Sequence, residues 1–558
     1  MVKGGSMPTI EISYKDLCNM VGKEIENREL ENLLGYAKCS VEEIDGDVIK
    51  VKAEDTNRPD LWSVEGIARE IKGRLMKDTG LPKYEVEQSN ITVNVDKKIR
   101  KIRPLIACAV VKNLTIDQNI LSQIIQLQEK VAGTFGRNRK EVAIGIYDLE
   151  KIQPPIKYTT VPPNGIKFVP LDFSEELTPK EILEKHPKGK EFGHLLKNCK
   201  EYPILIDAKG NVLSLPPIIN SNYTGKVTEM TKNVFIECTG FNFKFLLPAL
   251  NVIVCALADR GGKIENVKII YPNKTIITPD LKPKKIVVNI DYIRKISGLK
   301  LSGREICSLL TQARYDAYLK GKKIELFYPA YRQDIMHQRD VVEDVLISYG
   351  YNKIRPIYPR IKTKGAADKK EIFSRKVAQI MISLGFQEIL SYILTNRENL
   401  FRKMNLKEGK VIEIANPISS SWSVFRNWLL PSLIDFYCHN KHVKYPQKIF
   451  EIGDVVLFDK NMETKTKNPR KLAVAISDSE VGYADIAAVL DALLSELKIK
   501  YKLKRMRHPS FIEGRTAGIF VNKKLVGIIG EIHPLVLDNW NLDMPVAAFE
   551  IDLDQLFA

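Results

Sequence analysis

Four carboxylates between Asp334 and Asp344 are the densest chemistry in this 558-residue chain. Asp340, Glu343 and Asp344 stand three and four residues apart, the spacing that puts side chains on one helical face, and Asp334 lies just ahead of them. Val341, Val342, Val345 and Leu346 supply the apolar stripe of that helix, which follows an extended stretch from Pro329. Like charges this close repel unless something positive sits among them. Two readings stand at this point. The acids gather in a first helical turn, where the N-terminal dipole favours them, or they are hard oxygen donors for a magnesium ion that keeps several of its waters.

A second constellation runs from Leu215 to Glu229. Pro216-Pro217-Ile218-Ile219 makes a stiff extended wall, Asn220 and Ser221 close it with donors and acceptors, and Thr228-Glu229 follow after a short loop. A rigid wall beside a few polar groups suits a small-molecule pocket. No Ser-His-Asp or Cys-His arrangement accompanies it, so covalent catalysis has no support. Two further clusters are Asn57-Arg58-Pro59-Asp60, which either binds something at a turn or locks that turn, and the basic loop Phe135–Lys140, which touches phosphates or simply ends a hairpin.

The elements that must position these groups divide the chain into several domains, since 558 residues exceed one core. Hydrophobic content of 44% and charged content of 27% are those of a soluble globular protein. The longest apolar run, Phe245–Ala258, holds Pro248 and Asn251 and is too short to span a bilayer. Eight cysteines are scattered without a C-x-x-C pair, which argues against a zinc ribbon or a disulfide framework and fits a reducing cytoplasm. A formal charge of +17 favours a polyanionic partner, most simply nucleic acid. Met1–Ser6, ahead of a second methionine, reads as an appended remnant.

An α/β segment runs to about residue 90, with a helix expected at Ser63–Leu75. A β-rich segment follows, with strands at Val142–Tyr147 and Asn233–Thr239 and a hairpin across Asp207–Asn211. Beyond the proline-rich Pro279–Pro283 comes a helix-rich module, whose short helices lack the Arg, Asn and Gln of a base-reading helix. The last third begins with a helix at Lys369–Ser383 and a strand at Ile389–Ile393. A helix at Ser432–Lys444 follows, and an antiparallel sheet closes the chain in strand–turn alternation.

Taken in order, four stretches resemble the β subunit of phenylalanyl-tRNA synthetase in its archaeal and eukaryotic cytosolic form. They are Asn57–Asp60 with Ser63–Arg69, Pro216–Ser221 with Thr228-Glu229, Tyr331–Tyr351, and Asn416-Pro417 with Arg426–Pro431 and Phe450–Gly453. The resemblance implies a multidomain α+β protein. Its parts would be a B1 domain over 7–90, a B3/B4 editing domain over 91–278, a helix-rich B5 module over 284–360, and a B6/B7 domain over 364–558. The last is expected to have a class II synthetase-like antiparallel sheet without the ATP motifs, because no arginine follows the glycines of Gly527–Gly530. It implies a cytoplasmic (αβ)2 heterotetramer acting on tRNA(Phe), in which the α subunit binds ATP, phenylalanine and the tRNA end. It assigns Mg2+ to Asp334, Asp340, Glu343 and Asp344, in a structural or α-shared role. To this chain it leaves hydrolysis of mischarged Tyr-tRNA(Phe) at Asn220, Ser221, Thr228 and Glu229, with Glu229 on the phenol or the water. The alternative is a scaffold that binds α and tRNA without editing. The sequence departs from the family pattern at Gly225, an extra residue, and at Asn242 and Ser421, where acids are common.

Overall fold

The computed structural model describes residues 8–557, so the remnant read at Met1–Ser6 lies outside it. The described residues divide between Ile357 and Tyr358 into two compact units.

In the first unit, Thr9–Ser13, Val48–Ala53 and Cys39–Asp45 form a three-stranded antiparallel sheet, in that spatial order. Three helices accompany it, Tyr14–Val21, Asn27–Tyr36 and Val64–Arg74. Ser13 caps the first by accepting from the Asp16 N–H, and Gly22, at φ 70°, ends it. Ser63 caps the third in the same way, accepting from the Gly66 N–H. That helix can start only with glycine at position 66, where a Cβ would lie 1.6 Å from the Asp60 carbonyl oxygen. The same series of elements recurs later. Lys284–Asn289, Ile290–Ser297, Gly303–Gln312, Asp316–Lys320, Lys323–Tyr328 and Gln338–Tyr349 repeat the order strand, two helices, hairpin, helix. Again the third strand lies between the first and second. The module is therefore duplicated within the chain.

Between the two copies runs a ten-stranded sheet. Val234–Gly240 lies inside it, antiparallel to Leu105–Lys112 on one side and to Val142–Asp148 on the other. The hairpin expected at Asp207–Asn211 is present, with the Asp207 carboxylate accepting from the Lys209 and Asn211 N–H groups. The helix Phe243–Asp259 packs on the sheet, and its apolar face joins that of the first module in one core. Asn242 caps that helix through the Lys244 N–H, a role an aspartate there would also fill.

The second unit is built on a seven-stranded sheet in the order Gln387–Glu388, Gln447–Asp454, Arg470–Ser477, Val546–Asp552, Lys524–Ile532, Phe511–Val521, Tyr501–Arg505. All neighbours are antiparallel except the first pair. Lys369–Ser383 and Tyr483–Glu496 cover one face, and Leu430–His439 with Pro534–Asn539 cover the other. The helix expected at Ser432–Lys444 thus starts two residues earlier, with Pro431 in its first turn, and ends at His439. No strand forms at Ile389–Ile393, where one is expected from sequence; a two-residue strand, Gln387–Glu388, precedes that stretch, in which Leu390 and Tyr392 stand exposed. No helix among the described residues is long and apolar enough to cross a membrane.

Candidate functional site

A cavity of about 380 Å³ opens in the first unit, beside the proline wall. Ile124 and Gln128 of the helix Gln118–Lys130, Ile144 and Ile146 of Val142–Asp148, and Pro216–Asn220 form its sides. A cavity thus lies beside the wall read from sequence, and of the four residues expected there the structure brings one to its lining. Asn220 faces it, with its amide 3.4 Å from the Ile146 carbonyl oxygen. Ser221 is buried behind the wall, where its hydroxyl pairs with Thr224 at 2.9 Å. Thr228 and Glu229 lie outside the cavity. The Thr228 N–H donates to the Thr231 hydroxyl at 3.1 Å and its own hydroxyl accepts from Met230, a tight turn that leaves Glu229 on the exposed surface. Gly225 does line the cavity. A Cβ there would sit 2.4 Å from the Asn220 Cβ, so the extra residue must be glycine for the wall to close.

Of the carboxylates that line the cavity, the buried one is Glu237, on the strand Val234–Gly240. It is 2% exposed, and Tyr147 donates to its Oε1 at 3.0 Å while Oε2 has no partner. Burial pushes its pKa up to about 7, against the pull of the Tyr147 hydrogen bond and Arg103. Ser214, also lining the cavity, carries a second buried oxygen without a partner. Two unsatisfied polar atoms in an apolar recess are costly unless a ligand group completes them. A lone glutamate in the apolar run Val234–Thr239 was the sequence signal for this group.

The basic loop Phe135–Lys140 borders the same cavity. Arg137, Asn138 and Arg139 all adopt left-handed backbone, at φ 50°, 53° and 63°. This turns the Arg139 guanidinium inward, where it donates to the Ile218 carbonyl at 2.7 Å, the Pro217 carbonyl at 3.3 Å and Glu129 at 2.8 Å. One arm of the loop thus staples the proline wall.

Three family profiles match the chain: "B3/4 domain" over residues 91–246, "tRNA synthetase B5 domain" over 286–351, and "Phenylalanyl tRNA synthetase beta chain CLM domain" over 354–553. The phenylalanine–tRNA ligase β subunit of Pyrococcus abyssi is 51% identical over 99% of this chain and 100% of its own length. That of Methanocaldococcus jannaschii is 42% identical over 98% and 100%. The chain belongs to the phenylalanyl-tRNA synthetase β-chain family. A crystal structure of an N-terminal fragment of the Pyrococcus horikoshii β subunit is 53% identical and superposes with a TM-score of 0.60, covering 62% of this chain and all of that one.

Within the B5 domain of this β chain, the four carboxylates expected to hold magnesium do not converge. Asp334 is gripped by Arg332 through Nε at 2.8 Å and a second nitrogen at 2.6 Å, and the same guanidinium reaches Asp344 at 2.8 Å. Tyr315 also donates to Asp344 at 2.6 Å. Burial works against the charge of Asp344, but Arg332, with Arg58 and Arg74 behind it, holds its carboxyl well below the usual range. Asp340 accepts from the Met336 and His337 N–H groups and closes a capping box. Glu343 pairs with Lys38 at 3.0 Å. No three His, Cys, Asp or Glu side chains among the described residues are placed to share a metal ion. As arranged, these four do not fit one, since Mg2+ would first have to displace Arg332 and Lys38. The first copy of the module explains why. Arg58 grips Asp60 at 2.9 and 2.8 Å and approaches Glu70 at 3.5 Å. Arg58, Asp60 and Glu70 have the same spacing as Arg332, Asp334 and Asp344. The turn at Asn57–Asp60 is thus a locked turn, and Gln333 reaches across to the Asn57 carbonyl to tie the copies together.

In the CLM domain the family stretches are also clamps. Arg426 donates to Glu451 at 2.7 Å and to Ser391 at 2.7 Å, and passes over Gly453, where a Cβ would sit 2.3 Å from its nitrogen. Glu550 accepts from the Leu429 and Leu430 N–H groups at 2.8 and 3.0 Å, starting the helix that covers the sheet.

Proposed function

We propose that this chain works with an α subunit in phenylalanine–tRNA ligation, and that its own chemistry is hydrolysis of tyrosine from mischarged tRNA(Phe) in the cavity beside Pro216–Asn220. One observation carries this reading. The recess is apolar enough to take a phenyl ring, and in its wall Glu237 Oε2 and Ser214 Oγ are buried without hydrogen-bond partners. A side-chain shift that turns the Glu237 carboxylate into the recess gives the phenol of tyrosine an acceptor that phenylalanine cannot use. A site built to bond a hydroxyl discriminates strongly against the analogue lacking it, whereas an apolar synthetic pocket rejects an added hydroxyl poorly.

Hydrolysis needs a water to bond to the ester carbonyl carbon as the bond to the ribose oxygen breaks, with that oxygen taking up a proton. Asn220 is the polar group of the wall placed to orient the ester. The side chain of His186 also lines the recess, but its Nδ1 accepts from Lys188 N–H and its Nε2 lies 3.1 Å from the Leu171 carbonyl, so both nitrogens are committed to the loop. Lys188 and Lys226 line the same cavity and suit the phosphates of the tRNA end. Helices on both faces of the C-terminal sheet support leaving ATP and aminoacylation to α. The test is tyrosine release from Tyr-tRNA by the co-expressed complex. Glu237→Ala should slow it about 100-fold, the worth of one charge-assisted hydrogen bond of about 3 kcal/mol. Equal rates for wild type and variant would overturn the assignment.

A further inference from the structure

A tyrosyl ester presents two polar handles besides its carbonyl, the phenol and the α-amino group, and the cavity holds carboxylates suited to each. Three face it, Glu129, Asp172 and Glu237. Glu237 lies buried, and its second oxygen has no hydrogen-bond partner. Glu129 already has cations, with Arg139 at 2.8 Å and Lys188 at 3.7 Å. Asp172 is exposed and makes no ion pair or side-chain hydrogen bond among the described residues, although Arg139, Lys188 and Lys226 line the same cavity. Among the described residues it is the solvent-exposed cavity carboxylate without a cation partner.

Its place is also fixed. Asp172 has φ 65°, a left-handed conformation that few side chains other than Asp and Asn adopt. The loop around it is held on every side. The Leu171 N–H donates to the Asn220 carbonyl at 2.9 Å and the Phe173 N–H to Pro170 at 3.1 Å. His186 is buried under the loop, 3.1 Å from the Leu171 carbonyl oxygen and 4.7 Å from the Phe173 ring centre. The carboxylate therefore stands beside Asn220, at the solvent side of a recess whose other carboxylate, Glu237, is buried.

We propose that Asp172 binds the α-ammonium group of the aminoacyl ester and so fixes which way round the substrate enters, phenol to Glu237 and amino group to Asp172. This rests on the deacylating reading of the cavity and adds a second anchor to it. Asp172 is a binding and positioning residue, and the ester bond itself is untouched by it.

The experiment compares two esters of tRNA(Phe) with the co-expressed complex, one carrying tyrosine and one carrying 3-(4-hydroxyphenyl)propionate, which lacks only the amino group. Asp172→Asn keeps the left-handed turn, which asparagine tolerates, and removes the charge. It should lower kcat/KM for Tyr-tRNA about 10- to 100-fold, the range for a charged hydrogen bond. Wild type should lose a similar factor on the desamino ester, and on that ester the variant should match wild type within about 2-fold. Equal slowing of both esters by the substitution, or no slowing of either, would overturn the assignment of Asp172 while leaving the cavity's role intact. Failure of wild type to release tyrosine at all would overturn the deacylating reading and this inference with it.

Discussion

Replacing Glu237 by Gln tests the centre of the cavity twice, once through folding and once through the reaction. The carboxyl is raised from 4.5 to about 7 by burial. An acid raised in the folded state keeps its proton there while the unfolded chain has already lost it. Stability contributed by the bound proton is therefore full below about pH 4.5, falls as pH rises, and is gone above about pH 7. At about 1.4 kcal/mol per pKa unit, the loss across that window amounts to about 3 kcal/mol. Glutamine does not titrate. The stability of Glu237→Gln relative to wild type should thus grow by about 3 kcal/mol between pH 4.5 and pH 8, read from denaturant or thermal melts of the two proteins at each pH. A difference that stays flat with pH would refute the claim that the carboxyl is buried unpaired.

The same substitution changes the reaction in a predictable sense. Tyr147 donates to Oε1, so in the variant the amide oxygen must stay there and the NH2 takes the place of Oε2. A donor then faces the phenol where an acceptor stood. Loss of a charged acceptor is worth about 1.5–3 kcal/mol, so preference for Tyr-tRNA over Phe-tRNA at pH 8 should fall about 10- to 100-fold. Release of each amino acid by the co-expressed complex measures it, and an unchanged ratio would remove Glu237 from substrate recognition.

Glu229→Ala should leave tyrosine release within about 2-fold of wild type, because the residue lies on the surface outside the cavity; a 10-fold loss would restore it to the site. Gly225→Ala should slow release and lower the melting temperature, at an overpacking cost of about 1–3 kcal/mol, since the added methyl would overlap Asn220 and the Ser221 carbonyl. Arg332→Met leaves Asp334 and Asp344 buried without their cation and should destabilise the chain by about 3–5 kcal/mol in chemical melts. Arg58→Met should cost a similar amount, and a loss below about 1 kcal/mol for either would mean its carboxylates find another partner. Added Mg2+ should leave the melting temperature of the isolated chain unchanged. A saturable rise that Asp340→Asn abolishes would show that the ion displaces Lys38 and Arg332 and assembles the four carboxylates.

Much of the scaffold was legible because its signals are local. Ser63 before an apolar-periodic run, Asn242 before Phe243 and the Asp207–Asn211 turn each announce a structure that a few neighbouring atoms decide. The cavity wall was legible for the same reason, since two prolines stiffen any chain. What could not be read was which residues face inward after a loop. Glu229 and Glu237 are eight positions apart and chemically identical, yet a turn from Thr228 to Thr231 puts one in water and a strand puts the other in the core. The pattern around Glu237, a single charge in an apolar strand, was the better clue, because a buried carboxylate persists only where it has work to do or a partner to meet. The helix Tyr483–Glu496, rich in alanine and leucine, lies in a stretch for which no element was expected.

The carboxylates of the second module show how one electrostatic argument admits two kinds of cation. Like charges at that spacing do need something positive among them, but Coulomb's law does not say whether it is a metal or a guanidinium. The deciding information lay elsewhere in the chain. Arg58-Pro59-Asp60 with Glu70 repeats the spacing of Arg332-Gln333-Asp334 with Asp344, and the two modules repeat the same strands and helices in the same order. A constellation that occurs twice, once where no metal was expected, is explained first by what both copies share. Both share an arginine that grips one acid side-on and reaches a second from the following helix. Such a grip fixes the entry of each helix onto its sheet, and Gln333 on the Asn57 carbonyl links the two copies. Asp340 and Glu343 are the acids with no counterpart in that grip, so any divalent ion at this module has to begin with them, from the solvent side, and in competition with Lys38.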